Sequence, residues 1–190
     1  MPTPLATWKA LEAAGASVVY RPVSLADVRD AEAALSFSFP PSYVELVTSA
    51  GAPALPPRAV PGLDPTLAWN LPYAVLTPSE AVQLTTDWRT SDVVADPEMF
   101  EDPTSSPRLS AMLSSAVFFQ LQTDPNDAFV FLVGPAGAEP QVADFAHDYL
   151  EELDWAQAPS ARGPVWTSFA TLTEHLAAEI RPDRDSSRSS

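Results

Sequence analysis

The sequence predicts an α+β protein in which helices flank one antiparallel sheet, built as a meander. Helix-starting signals dominate the first half of the chain. Two runs of aromatic and β-branched residues follow, separated by turn residues, and a third apolar run and a final amphipathic segment come after them. Because the predicted strands are consecutive and do not alternate with helices, we expect antiparallel pairing with the helices packed against the sheet.

Four helix N-termini are indicated by capping residues and prolines. Each start has a side chain or proline that suits a first helical turn: Thr3-Pro4, Ser24 with Asp27, Pro40-Pro41, and Thr77-Pro78 with Glu80. Gly15 and Gly51 are expected to end the first and third of these helices. In the second helix, helical spacing predicts that Leu25, Val28 and Leu35 face inward.

The segments between these helices are predicted to be mostly irregular. Five prolines in residues 52–65 argue against a central strand or a helix there. Residues 74–76 suit a short strand, and residues 90–108 are expected to form a long polar loop.

The second half of the chain contains the sheet. Residues 117–121 and 129–133 are predicted to form a hairpin, and residues 141–145 to add a third strand. A last helix is expected to begin near Ser168, and residues 181–190 to be a disordered tail. We therefore expect a single domain over residues 1–180, with residues 1–20 as an N-terminal helical extension.

Composition excludes several classes of protein. The chain has 190 residues, of which 46% are hydrophobic, so it can bury a core and is not a disordered chain. It has 0 cysteines, which removes disulfides and thiolate metal sites. The formal net charge of -15 disfavours nucleic acid and anionic membranes and favours a basic partner. With neither a signal peptide nor a membrane-spanning run evident, we expect a cytoplasmic protein.

Few residues could support catalysis. His147 lies beside Asp148 and could form an acid–base pair or part of a metal site, but a surface histidine paired with a carboxylate is the simpler interpretation. His175 is expected on the exposed face of the last helix. The sequence contains neither a nucleophile elbow nor a phosphate-binding glycine loop. We therefore predict a protein that is not an enzyme and needs no cofactor or metal.

One stretch suggests a binding surface, and we call residues 144–155 the acidic segment. Carboxylates steer a basic partner and aromatic side chains anchor it. The predicted partner-binding residues are Asp144, Asp148, Tyr149, Glu151, Glu152, Asp154 and Trp155. The alternative is a solvated loop with Trp155 folded into the core.

Several motifs in order resemble the Smi1/Knr4 (SUKH) superfamily. Val28, Glu32 and Leu35 match its first helix, and the 37–40 stretch Phe-Ser-Phe-Pro matches its F-x-L-P element. Pro41-Ser42-Tyr43 and the Ala50-Gly51 pair match the following helix and its Asn-Gly end. Distal matches are the 142–148 stretch Val-Ala-Asp-Phe-Ala-His-Asp and the 166–169 stretch Trp-Thr-Ser-Phe. The chain departs from the pattern at Ser36, where the family usually has glycine, and at Ala50, where it has asparagine.

The resemblance implies an antiparallel sheet flanked by helices and a function without catalysis. Bacterial members of this superfamily are mostly immunity proteins that bind and neutralise a cognate toxin. Eukaryotic relatives are scaffolds or regulators of cell-wall synthesis. The expected partner is therefore a protein, either a basic toxin domain or a cellular protein that the chain regulates, and the oligomeric state is left open.

Overall fold

The computed structural model describes residues 2–55, 73–91, 105–121, 127–132, 139–145 and 165–180. The described helices are α1 (Pro4–Ala13), α2 (Leu25–Leu35), α3 (Pro41–Ser49), α4 (Pro78–Arg89), α5 (Ser105–Ser114) and α6 (Phe169–Ile180). The described strands are β1 (Val19–Arg21), β2 (Ala52–Ala54), β3 (Ala116–Leu121), β4 (Ala128–Leu132), β5 (Gln141–Phe145) and β6 (Val165–Trp166). The predicted α+β class is confirmed.

The predicted meander is present, and a fourth strand extends it. Strands β3, β4, β5 and β6 are antiparallel neighbours in that order. The register pairs Phe131 with Val142, and Val142 in turn with Trp166. The β3–β4 pairing shifts between Phe118 and Gln120, which marks an irregularity in β3. Sequence reasoning missed β6, because its two residues are too few to show alternation.

The segment 74–76, predicted as a strand, joins this sheet to the smaller β1–β2 sheet. The Val75 N–H donates to the Pro53 carbonyl at 2.9 Å, so the segment lies beside β2. On its other side the Leu76 N–H donates to the Phe119 carbonyl, and the Leu121 N–H donates to the Ala74 carbonyl, each at 2.8 Å. Backbone hydrogen bonds therefore run without interruption from β1 to β6.

Helices cover both faces of the sheet. On one face Trp88 of α4 packs against Phe118 and Phe145, with ring centroids 6.1 and 4.9 Å away. On the other face Phe119 stacks on Phe131 at 3.8 Å and meets Phe169 of α6 edge-on at 5.3 Å. All six residues of β3 are buried, as expected for a strand covered on both sides.

The predicted helix caps are present. Ser24 and Asp27 form a reciprocal capping box at α2, and Thr77 and Glu80 form another at α4. Thr3 caps α1, where its hydroxyl accepts from the Ala6 N–H at 3.2 Å. The N-terminal helix packs against α3 and α6 and buries Trp8.

Three expectations were wrong. Leu25 is 48% exposed, because it occupies the first turn of α2, and the inward stripe consists of Val28, Ala31 and Leu35.

The second error concerns the prolines of residues 52–65, because Pro53 lies within a strand, β2, between β1 and Val75. In an antiparallel strand the N–H and C=O of one residue point to the same side. The N–H that Pro53 lacks is therefore missing only on the side of Val75, and the ladder to β1 is unaffected.

The third error concerns the polar loop expected over residues 90–108, because α5 begins at Ser105. Its proline lies in the first turn, where the missing N–H costs no helical hydrogen bond, so the proline is compatible with a helix start. Residues 92–104 and the predicted tail over residues 181–190 lie outside the described residues.

Gly51 allows β2 to start directly after α3. Its φ is +97°, and a Cβ built there would lie 2.6 Å from the carbonyl oxygen of Arg21. Gly15 also has a positive φ, +99°, but nothing lies within 4 Å of its Cβ position. Comparing substitutions at the two glycines therefore distinguishes the cost of the left-handed backbone, which both share, from the cost of a steric clash, which occurs only at Gly51.

We predict that Gly51→Ala destabilises the protein more than Gly15→Ala. Both substitutions pay for the left-handed conformation, at about 1–2 kcal/mol. Gly51→Ala loses about 1–3 kcal/mol more, because its methyl group must displace the Arg21 backbone. The free energies of unfolding of both variants in urea test this, and equal losses would contradict it.

Candidate functional site

Of the predicted partner-binding residues, Asp144 is the one in the described part of the chain. It lies on β5, half-buried, directly opposite Phe129 of β4. Asp148, Tyr149, Glu151, Glu152, Asp154 and Trp155 lie outside the described residues, as does His147. Their assignment to a binding surface stays a prediction.

The described ends of the chain around the acidic segment are next to each other. Residue 145 ends β5 and residue 165 begins β6, and these two strands pair through Ala143 and Val165. The acidic segment therefore starts on β5, and its sequence continues between two neighbouring strands at one end of the sheet. Strand β6 is the last of the four, and among the described residues it pairs only with β5.

Trp166 lies beside this end of the sheet. Its ring meets Phe129 edge-on, with centroids 5.4 Å apart, and lies at a tilt to the His175 ring at 5.5 Å. Trp166 is half-buried, whereas Phe129 is only 3% exposed. The ring is thus supported by β4 and α6 while part of it still faces solvent.

His175 is exposed, as predicted, because Leu172 and Leu176 occupy the buried side of α6. Its contact with Trp166 was not foreseen. The aromatic pair was missed because its residues belong to different elements, β6 and α6, and their contact depends on how α6 packs against the sheet. The signal that could have indicated it is the exposed position of His175 on a helix that closes over the sheet.

A second group of polar residues lies at the junction of β1, the 74–76 segment and α4, and we call it the Arg21 junction. The Nη1 of Arg21 donates to both carboxylate oxygens of Glu80, at 2.5 and 2.6 Å, and its Nη2 donates to the Val75 carbonyl. The two side chains are only 12% and 18% exposed. At the residue after Val75, the Leu76 carbonyl accepts a hydrogen bond from the buried Tyr43 hydroxyl at 2.8 Å.

Most hydrogen-bonding groups of the Arg21 junction are occupied by structural partners. Glu80 also accepts from the N–H and the hydroxyl of Thr77, at 2.7 and 2.9 Å. Burial, together with the nearby Glu80 charge, raises the pKa of Tyr43 well above its usual range. The buried Nε of Arg21 has no hydrogen-bond partner. Such an arrangement holds backbone segments together and does not offer a free acid or base.

Within the described ranges, no group of three or more His, Cys, Asp or Glu side chains is placed to hold a metal ion. Nor does this part of the chain contain a helix with the length and apolar character needed to cross a membrane.

No protein-family model matches the sequence, and no curated protein matches it significantly.

We predict that Tyr43→Phe weakens the alkaline loss of stability. Folded Tyr43 keeps its proton, but in the unfolded chain it ionises at pH ~10. Above that pH the unfolded state binds fewer protons, so the stabilising contribution of Tyr43 is complete below it and is lost progressively as pH rises towards the pKa of the folded state. At neutral pH the variant should lose about 1–3 kcal/mol, since the Leu76 carbonyl loses its donor.

The measurement is urea unfolding at about pH 8 and about pH 11, on either side of the tyrosine pKa of the unfolded chain. Tyr20→Phe is the matched control, because burial raises the pKa of Tyr20 too, but this side chain is only half-buried. An alkaline loss as large in Tyr43→Phe as in the wild type would contradict the prediction.

Proposed function

We propose that the chain is a non-catalytic protein-binding module of the SUKH type, an immunity protein that binds and neutralises a cognate toxin in the cytoplasm. The observation that carries this proposal is the structural role of the residues that resemble the superfamily. In the described residues Glu32, Phe37, Phe39 and Gly51 connect successive elements of an α+β scaffold.

Glu32 is the first of these residues. Its Oε1 accepts the Phe39 backbone N–H at 2.9 Å, seven residues along the chain. The bond fixes the path from α2 into the Phe37–Pro40 segment, because an unpaired, partly buried N–H would be costly. Phe37 and Phe39 then enter the core, where Phe39 stacks on Tyr43 at 4.6 Å. The spacing between the acid and the F-x-L-P element thus has a physical reason.

Gly51 is the second, at the position of the superfamily's Asn-Gly pair. Its positive φ and its close approach to Arg21 require a residue without a side chain. The departure at residue 36 is also accommodated, since Ser36 adopts a left-handed φ of 50° as the C-cap of α2. Glycine favours that conformation, so the backbone there suits the family pattern despite the substitution.

Charge supports a basic protein as the partner. Eight acidic residues and no Lys or Arg lie between Arg108 and Arg162, and five of the eight belong to the acidic segment. A toxin that acts on nucleic acid presents a basic surface to its substrate, and an acidic protein that binds there blocks it sterically and electrostatically. Neutralisation of this kind needs no catalytic residue.

The alternative is a regulatory or scaffold protein that binds a cellular protein. The scaffold residues are compatible with both functions, so the partner distinguishes them. A toxin reading frame immediately upstream of the gene supports immunity, and an isolated locus supports regulation.

The test is co-expression of that upstream toxin domain with this protein in a bacterial host. We expect the wild type to restore growth. Replacing both Glu151 and Glu152 with Lys should slow association by about tenfold and flatten its salt dependence, because electrostatic steering is lost.

Reversal of Asp30 and Glu45 is the matched control. Both are exposed acids, on α2 and α3, and their replacement with Lys changes the net charge by the same amount. Equal slowing in the two double variants would make the effect one of total charge and would contradict the assignment to the acidic segment. Failure of the wild type to bind or neutralise the toxin would contradict the immunity function itself.

A further inference from the structure

The end of the sheet next to the acidic segment contains an aromatic ring that is already held in place. Trp166 packs edge-on against Phe129 from one side and lies against His175 of α6 from another. A ring fixed in this way loses little conformational freedom when a partner binds, which is the property of an interface anchor. Trp166 is half-buried, so part of its surface remains available to a partner.

An acidic side chain, Asp144, lies on the same face of the sheet as this ring. Directly paired residues in a sheet point to the same face, and so do residues two apart in one strand. Trp166 pairs with Val142, and Asp144 is two residues from Val142, so Asp144 and Trp166 share a face of the sheet. Glu174, which is half-buried, is adjacent in sequence to His175 on the helix above that face.

We infer that Trp166, with Asp144 beside it, is the docking point for an arginine side chain of the protein partner. This inference rests on the proposed function and specifies the chemistry of its partner. A guanidinium group suits the place better than an ammonium group, because its plane stacks on an indole while its N–H groups pair with a carboxylate. Asp144 already has an interaction within the chain, and it contributes its charge from the same face of the sheet as the ring.

The identity of the partner segment follows from charge complementarity. The chain carries a formal net charge of -15, and the sequence around β4 and β5 is without Lys or Arg. An arginine-containing loop on a basic protein therefore fits this end of the sheet, whereas an apolar or acidic segment does not.

The probe is an oligo-arginine peptide, compared with an oligo-lysine peptide of equal length, titrated into the full-length protein. The indole N–H resonance of Trp166 is followed by NMR and assigned from its absence in Trp166→Phe. We expect the arginine peptide to shift this resonance and to bind more tightly than the lysine peptide. Trp166→Ala and Asp144→Asn should each weaken arginine-peptide binding by about tenfold.

Asp30→Asn is the matched control, since it removes the same charge from an exposed position on α2. The inference is overturned if the Trp166 resonance does not move, if the two peptides bind equally, or if Asp144→Asn and Asp30→Asn have the same effect. The resonance is read on the wild type, so the result stands even if Trp166→Ala does not fold.

The peptide experiment and the toxin experiment test different proposals, so each can contradict one without contradicting the other. A wild-type protein that neutralises the toxin but whose Trp166 resonance ignores the arginine peptide would overturn the docking inference alone. A wild-type protein that binds the peptide at Trp166 but does not bind the toxin would overturn the immunity function alone.

Discussion

The ion pair between Arg21 and Glu80 holds the fold together at the point where its two sheets meet. Arg21 belongs to β1, and its guanidinium group reaches the first turn of α4 and the Val75 carbonyl between β2 and β3. The backbone carbonyl of Arg21 lies close to Gly51, the residue directly before β2. With the charges largely buried, separating them would leave an unpaired ion in a low-dielectric environment, which costs far more than losing an exposed pair.

The contacts that set the path of the backbone lie at one edge of the joined sheet. The resembling residues between Val28 and Gly51, together with the Arg21 junction, lie on or next to β1, α2, α3 and the first turn of α4. The distal matches lie partly on β5, β6 and α6. Asp144 on β5 and Trp166 on β6 lie towards the other edge of the joined sheet. Substitutions at these two positions are therefore remote from the Arg21 junction.

Local chemistry explains what the sequence predicted well. Capping boxes such as Thr77 with Glu80 and the aromatic runs of β3 and β4 act through neighbouring residues, so their patterns are visible in one dimension. Leu25 was misjudged for a local reason, because the helical spacing did not show that the first turn of α2 is exposed. Pro53 and β6 were misjudged because their environment depends on distant partners: Val75 beside β2, and β5 beside Trp166. For the same reason Asp144 was predicted from sequence but its neighbour Trp166 was not.

The most direct test of this account is a double-mutant cycle on the free energy of unfolding with Arg21→Met, Glu80→Gln and the double variant. Each single substitution leaves one charged or polar partner without its mate, whereas the double variant removes both, and Gln can still cap α4. We predict a coupling of about 2 kcal/mol, so that the double variant loses clearly less stability than the sum of the single variants. Additive losses would show that the two residues act independently and would contradict the central role of the ion pair.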